Sequence, residues 1–318
     1  METKNCQNCK KDFIIQKEDF NFYEKIKVPP PTWCTECRMM RRLTWRNNRS
    51  LHHRNCDLCH KSIVTMYQSE APFPVYCRDC WYGDGWDPME YGAPIDWSKP
   101  FLTQWAELYK KVPKLALWQK GSNMNSLYAN NVYDSKDIYL SYSIVEAENI
   151  FYSENIDYGR YVMDSFLSIS SELVYENQGS RQFNSKFILQ SNDCIDSLFL
   201  FDCSNSSNCF MSSNLRNKKY VFRNQQLSKE AYDEALQKEN LSSRKKLDEL
   251  RKEWKILIQD AIHRYSRIVA SVNSTGNFIR NAKNTRDSYQ VHDVENIAYS
   301  MRALNLKDSM DLYATADG

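Results

Sequence analysis

Between residues 122 and 226 short β-prone runs return at an almost fixed interval, and this rhythm constrains the fold more than any other feature of the chain. The runs begin at Leu127, Ile138, Ile150, Tyr161, Leu173, Phe187, Leu198, Cys209 and Tyr220, in steps of 11, 12, 11, 12, 14, 11, 11 and 11. Strands this brief cannot bury a hairpin core, so a fixed period points to stacked coils in which each run covers the next. The expected fold is mainly β with α: a parallel β-helix (β-solenoid) with two or three strands in a coil of about 22 residues. Asn, Asp and Ser fill the gaps, as in Ser204-Asn-Ser-Ser-Asn208. Glycine is only 8 of 318 residues, so asparagine is expected at left-handed backbone corners, which it tolerates best after glycine. A sandwich would want Asn-Gly or Asp-Gly hairpin turns, and 122–226 contains none.

The flanking segments follow other periods. After the turn-rich, aromatic residues 82–97, Ser98-Lys-Pro100 opens a helix whose Phe101, Trp105, Leu108, Tyr109 and Val112 share an apolar face, closed by Pro113. A first coil needs its bare end covered, so 98–121 is expected to cap it, with the module before it. At Leu227 the rhythm stops. Ser228 caps a short helix, and a longer one runs from Ser242 to about Arg267, with Leu247, Leu250, Trp254, Leu257, Ile258 and Ile262 at helical spacing. Phe278-Ile279, Tyr289-Gln-Val291, Ile297-Ala-Tyr299 and Leu312-Tyr313 then restore the β signature. The expected order is 1–97 metal module and aromatic linker, 98–121 capping helix, 122–226 coils, 227–270 helical insertion and 271–318 resumed coils. The last coil is expected to lie under a partner, or the chain to be part of a longer polypeptide.

Eight of the eleven cysteines form four Cys-x-x-Cys pairs before residue 81: Cys6/Cys9, Cys34/Cys37, Cys56/Cys59 and Cys77/Cys80. Such a knuckle turns two thiolates toward one ion, and two knuckles complete a tetrahedral shell, as in zinc-ribbon and treble-clef-like folds. Four knuckles therefore predict two structural Zn2+ ions. Sequential pairing is the simplest; a crossed pairing, first with third and second with fourth, stays open. Disulfides would call for an export signal that the N-terminus lacks. A redox dithiol would want one reactive pair beside a βαβ unit. Cys56-Asp-Leu-Cys59-His60 matches haem attachment, but Cys77/Cys80 lies where a shared zinc would want it. A four-thiolate shell has no open position and predicts stability, not metal catalysis. Cys194, Cys203 and Cys209 read as small buried residues of the coils.

From Lys25 to Lys61 there are nine Lys/Arg against two acids, a local charge of +7. Arg38, Arg41, Arg42, Trp45 and Arg49 fall on one face of an expected helix, with Arg46 beside them. These six could contact a phosphate backbone, with Trp45 stacking on a base. The plainer reading is compensation of the thiolate charge.

Asp19-Phe-Asn-Phe-Tyr-Glu-Lys-Ile-Lys-Val-Pro-Pro-Pro-Thr-Trp-Cys34-Thr-Glu-Cys37, Arg41-Arg-Leu-Thr-Trp-Arg-Asn47, Val75-Tyr-Cys77-Arg-Asp-Cys80-Trp81, Trp86-Asp-Pro88 and Leu215-Arg-Asn-Lys-Lys-Tyr220 resemble uncharacterised zinc-ribbon proteins common in uncultivated bacteria, the candidate phyla radiation among them. The resemblance spans most of the chain and implies the same architecture, without an activity. Those proteins carry more cysteines in their repeats, a departure that argues against a metal role for the repeats in this chain.

Three functions are weighed. The first is a zinc-binding, non-catalytic binding or scaffold protein in the cytoplasm, with a protein partner or self-association and no membrane; residues 122–226 carry twelve acids and eight bases, opposite in sign to the basic module. The second is nucleic-acid binding through that module. The third is a polysaccharide-binding or polysaccharide-cleaving β-helix, which would need carboxylates converging from neighbouring coils, such as Asp134 with Asp157, or Asp164 near Arg181 or Lys186. Asp is also common at corners for backbone reasons. No nucleophile triad, dinucleotide or phosphate-loop signature is present, and the reading favours a binding protein over an enzyme.

Overall fold

A computed structural model describes residues 1–44, 47 and 50–317. The chain divides into two compact units, Met1–Arg46 with His263–Gly318, and Asn47–Ile262. Each contains one four-cysteine module and one set of parallel strands.

In Asn47–Ile262 the backbone turns left-handed at every third residue from Asn131 to Glu176, through Asp134, Asp137, Leu140, Ser143, Glu146, Asn149, Tyr152, Asn155, Tyr158, Tyr161, Asp164, Leu167, Ser170 and Leu173. Asn and Asp hold many of these positions, as their tolerance of this region predicts, but Tyr, Leu, Ser and Glu hold others. For a bulky side chain the conformation costs roughly 1–2 kcal/mol, so the surroundings must overrule local preference. The residue after each bend points inward: Ile138, Ser141, Ile144, Ala147, Ile150, Ser153, Ile156, Val162, Ser165, Ser168, Ser171 and Val174 are all buried.

The register is set by this three-residue beat. Ile150 lies beside Ile138 on one side and Val162 on the other, and Val162 beside Val174, all in parallel. Ile156 lies between Ile144 and Ser168. Equivalent residues are therefore 12 apart, which corrects the expected step of about 22. Four bends fit into one 12-residue step, so each apolar run pairs directly with the next run rather than with the one after it. The step shortens to 11 where Tyr175 meets Lys186, then returns to 12 at Ile188 and Leu200. The pairings are parallel until the closing hairpin of Val221 with Gln226.

Inside, apolar columns alternate with a hydroxyl ladder. Ser153 Oγ donates to the Phe151 carbonyl (2.8 Å) and accepts the Ser165 N–H (3.1 Å). Ser141, Ser165, Ser185 and Ser197 repeat the same two bonds at their own levels. A serine can enter this interior because both its donor and one acceptor lone pair are used. Cys194, Cys203 and Cys209 occupy inward positions of the same kind, buried as the sequence predicts.

Helices α1 (Lys17–Lys25), α2 (Thr35–Leu43), α3 (Arg78–Tyr82), α4 (Phe101–Lys111), α5 (Lys229–Lys238) and α6 (Arg244–Asp260) complete the chain. The long helix ends at Asp260, short of the expected Arg267. Just beyond its end the Ile262 backbone is held by Asn214, which donates to the Ile262 carbonyl (2.9 Å) and accepts its N–H (3.0 Å). Leu250, Trp254 and Leu257 pack with Tyr232 of α5 on Phe187, Phe199 and Phe210. In contrast, α4 buries none of its residues; Tyr109 meets Phe73 edge-on (5.6 Å), and the helix leaves Phe101 and Leu102 in solvent.

In the other unit, strands Ile268–Val269, Gly276–Lys283, Ser288–Ala298, Met301–Met310 and Tyr313–Ala316 run parallel in chain order. Ile279, Val291 and Ala303 stack 12 apart around a core that includes Val294, Ile297 and Leu306. Corner asparagines form an outer ladder, Asn284 donating to Asn296 (3.0 Å) and Asn296 to Asp308 (2.9 Å).

Candidate metal centres

The four knuckles pair sequentially. Cys6, Cys9, Cys34 and Cys37 bring their sulfurs within 4.8 Å of one another, and so do Cys56, Cys59, Cys77 and Cys80. The local reason is the same in both. One knuckle occupies the turn of an antiparallel hairpin, Glu2–Asn5 with Asp12–Ile15 or His52–Asn55 with Ser62–Thr65. The other starts at a helix N-cap, Cys34 of α2 or Cys77 of α3, and its second cysteine lies in the first turn.

The backbone bonds of the two sites correspond, and Asn8 adds a side-chain donor to Cys37 Sγ (3.4 Å) where the second site has Leu58. The Lys10 N–H bonds the Cys6 carbonyl and the His60 N–H the Cys56 carbonyl, both at 2.9 Å, with Lys10 and His60 at positive φ. The Cys34 N–H donates to Cys6 Sγ and the Cys77 N–H to Cys56 Sγ, both at 3.2 Å. Cys9 Sγ to Cys34 Sγ and Cys59 Sγ to Cys77 Sγ are both 3.8 Å. A tetrahedron with 2.3 Å metal–sulfur bonds has edges of about 3.8 Å, so the sulfurs stand where a zinc ion needs them. Both sites fit structural Zn2+, held by four thiolates with no position left for a substrate.

Electrostatics prepare each site for a cation. Burial alone would raise the Cys6 thiol, but the backbone donors of Cys34, Cys9 and Asn8 outweigh it and lower it to about 6. For Cys56 burial is likewise outweighed by Cys59, Cys77 and Leu58 backbone donors, which bring it to about 7. In the same clusters burial pushes Cys34 up to about 12 and also raises Cys77 and Cys80. Four thiolates cannot coexist at this separation without a cation, and zinc supplies the missing charge while displacing the protons.

The duplication is visible in the sequence once sought: Asn5-Cys6-x-x-Cys9-Lys10-Lys11 returns as Asn55-Cys56-x-x-Cys59-His60-Lys61, and Trp33-Cys34-x-x-Cys37 as Tyr76-Cys77-x-x-Cys80.

The basic face is divided by the structure. Arg38 is 5% exposed and reaches Asp311 (3.3 Å), the Tyr23 hydroxyl (3.3 Å) and the face of Tyr299. Arg42 pairs with the other Asp311 oxygen (3.2 Å). These two hold α2 against the C-terminal strands instead of facing a phosphate or the thiolates. Arg41 stays exposed, over the Trp33 ring (5.2 Å). Trp45, Arg46 and Arg49 lie outside the described residues. Asp19, buried, meets Arg286 and accepts from the Tyr299 hydroxyl (3.0 Å). Neither Asp19 nor Asp311 stands out in the sequence, because their partners lie more than 260 residues away.

The suggested carboxylate pair does not form at this register. Asp134 accepts from the Ser122 N–H (2.8 Å), while Asp157 lies beside Val145 and Ile169. With a 12-residue step, positions 23 apart are not equivalent. Arg181 pairs with Asp193 (2.5 Å), not Asp164.

No family model matches the chain, and no curated protein or solved structure shows significant similarity to it. No helix among the described residues is long and apolar enough to cross a membrane.

Proposed function

We propose that the chain is a non-catalytic, zinc-stabilised binding or scaffold protein whose parallel stacks are β-solenoids with 12-residue coils. The observation that carries the reading is the recurring register, 12 residues at most levels and 11 at a few. Successive coils about 4.8 Å apart present the same outward positions again and again, a ruled surface suited to an extended partner. The outer charges support a scaffold over a reactive cleft, since they neutralise one another along the stack. Lys136 and Arg160 both pair with Glu148 (3.3 and 3.5 Å), and Lys283 and Lys307 both pair with Glu295 (3.0 and 3.3 Å). The four-thiolate sites add folding energy without an open coordination position.

Native mass spectrometry with metal analysis, on protein purified from its own host, tests this reading. Two zinc ions per chain and a stoichiometric partner or second copy are expected. A chain with fewer than two ions, or one that turns over a substrate, would overturn it. Salt-sensitive RNA or DNA binding that weakens in Arg41→Ala would replace it with a nucleic-acid function.

A further inference from the structure

The two cysteine modules resemble each other at their metal sites but join their strands in different ways. Val75–Tyr76, just ahead of Cys77, pairs in parallel with Lys114–Leu115, and the Met66 N–H donates to the Ala116 carbonyl (3.0 Å). The second module is thus continuous with its stack through main-chain bonds. The first is held by side chains. On α2, Arg38 and Arg42 pair with the two oxygens of Asp311 (3.3 and 3.2 Å). On α1, Asp19 meets Arg286 and accepts from the Tyr299 hydroxyl (3.0 Å), and Lys25 at the helix end pairs with Asp308 (2.9 Å). Tyr299 and Asp311 stand 12 residues apart at left-handed corners, so this clamp spans neighbouring levels of the strand stack.

The clamp depends on the metal site by position. Cys34 is the N-cap of α2 but makes no side-chain cap bond to it, and its N–H donates to Cys6 Sγ (3.2 Å). Arg38 follows the ligand Cys37 directly, and Arg42 lies one helical turn on. A helix of nine residues is too short to persist unsupported, and two arginines at i, i+4 repel unless an acid stands between them. Ligation at one end and Asp311 on the flank therefore hold the same short helix, and each makes the other easier. The second module has Trp81 and Gly85 where the first has Arg38 and Arg42. The duplicates differ at the residues that make the clamp.

We propose that the Cys6 site is a metal-responsive latch. Loaded, it seats α2 so that Arg38 and Arg42 grip Asp311. Emptied, it frees α1 and α2 from Asp308, Asp311 and Arg286 and bares the Tyr299 ring, over which Arg38 now lies (5.5 Å), while the strands and the Cys56 site stay folded. By linkage, the grip on Asp311 raises first-site zinc affinity by the same factor that zinc strengthens the grip. This goes beyond the scaffold reading and fails separately from it. A chain with two ions that stays clamped when the first is lost is still a scaffold, without a latch.

The test titrates the full chain with a zinc chelator, counts ions by native mass spectrometry and follows amide hydrogen exchange in the same samples. Cys9→Ser and Cys59→Ser, each lacking one ligand of one site, assign the two losses. In Cys9→Ser the amides of α1 and α2 are expected to lose protection, while those of 276–310 keep theirs and the Cys56 site stays loaded. Asp311→Asn is expected to weaken first-site zinc roughly 5–150-fold, the usual range of such coupling, and to leave the second site unchanged. Val291→Ala, in the core of the same strands, separates coupling from general loss of stability and is expected to leave both sites unchanged. Should Asp311→Asn fail to fold, Arg42→Met serves in its place. Helices that stay protected after the first ion leaves, strands that unfold with them, or an unchanged first-site affinity in Asp311→Asn would each overturn the proposal. So would a parent that holds no ion at the Cys6 site, or a Val291→Ala chain whose first site weakens as much as that of Asp311→Asn.

Discussion

Replacing Ser153 by alanine tests the interior hydroxyl ladder at a single atom. Ser153 is buried, its Oγ donates to the Phe151 carbonyl (2.8 Å), and it accepts the Ser165 N–H (3.1 Å). The carbonyl keeps a second donor after the change, the Asp164 N–H at 3.1 Å. The Ser165 N–H loses its acceptor at a buried position, beside a core that includes Ile138, Ile150 and Ile156. The cost is then that of one stranded buried donor, about 1–3 kcal/mol, against little gain because the hydroxymethyl group is replaced by a smaller methyl. Urea unfolding with an unchanged slope and a lower midpoint is the expected result. Ile156→Ala, in the neighbouring apolar column, sets the scale at about 2–5 kcal/mol. If Ser153→Ala proves neutral or stabilising while Ile156→Ala behaves as stated, the ladder contributes nothing and the account of why serine lines this interior is wrong.

Removing residues 148–159 deletes one full step of the register and should leave a cooperatively folding protein, whereas removing 148–157 should not, because it turns every later inward residue outward; thermal melts followed by circular dichroism distinguish the two. Asp311→Asn leaves Arg38 and Arg42 facing each other without a counter-charge, and should destabilise the unit that holds them by about 3 kcal/mol, read from its own urea transition. Zinc should leave as pH falls. The Cys6 thiol is lowered from 9.0 to about 6, so its contribution is complete above the unfolded value and lost as pH drops through the folded one, where protons compete with the metal; release followed with a chromogenic chelator should accelerate below about pH 6 and be absent at pH 8. Cys56→Ser should remove one zinc ion of two and leave the Cys6 site loaded, by metal analysis.

How much could be read in advance differs from feature to feature. The eight ligands were legible because a knuckle is local: Cys34-Thr-Glu-Cys37 fixes its own geometry through a helix N-cap, and only the pairing of knuckles needed space to decide it. The burial of Cys194, Cys203 and Cys209 was legible too, since small residues inside an apolar rhythm have few other uses. The step between paired strands was misjudged. A period of 11 or 12 in the apolar runs fits one whole step or half of a longer one equally well. The deciding fact, a left-handed residue at every third position, is invisible when Leu140, Tyr152 and Phe187 occupy such corners. Arg38 and Arg42 looked like a basic surface because a positive side chain reads the same whether it meets solvent or a buried carboxylate.

By itself, then, the amino-acid order determined where the metal ligands lie, that the bulk is short strands repeating every 11 or so residues, and where α4, α5 and α6 begin. Those properties depend on neighbours a few residues away, and local chemistry suffices for them. Tertiary structure alone decided that Asp311 and Asp19 anchor the first module to the C-terminal strands. These outcomes depend on groups hundreds of residues apart meeting where water is excluded, and no window on the chain contains both partners.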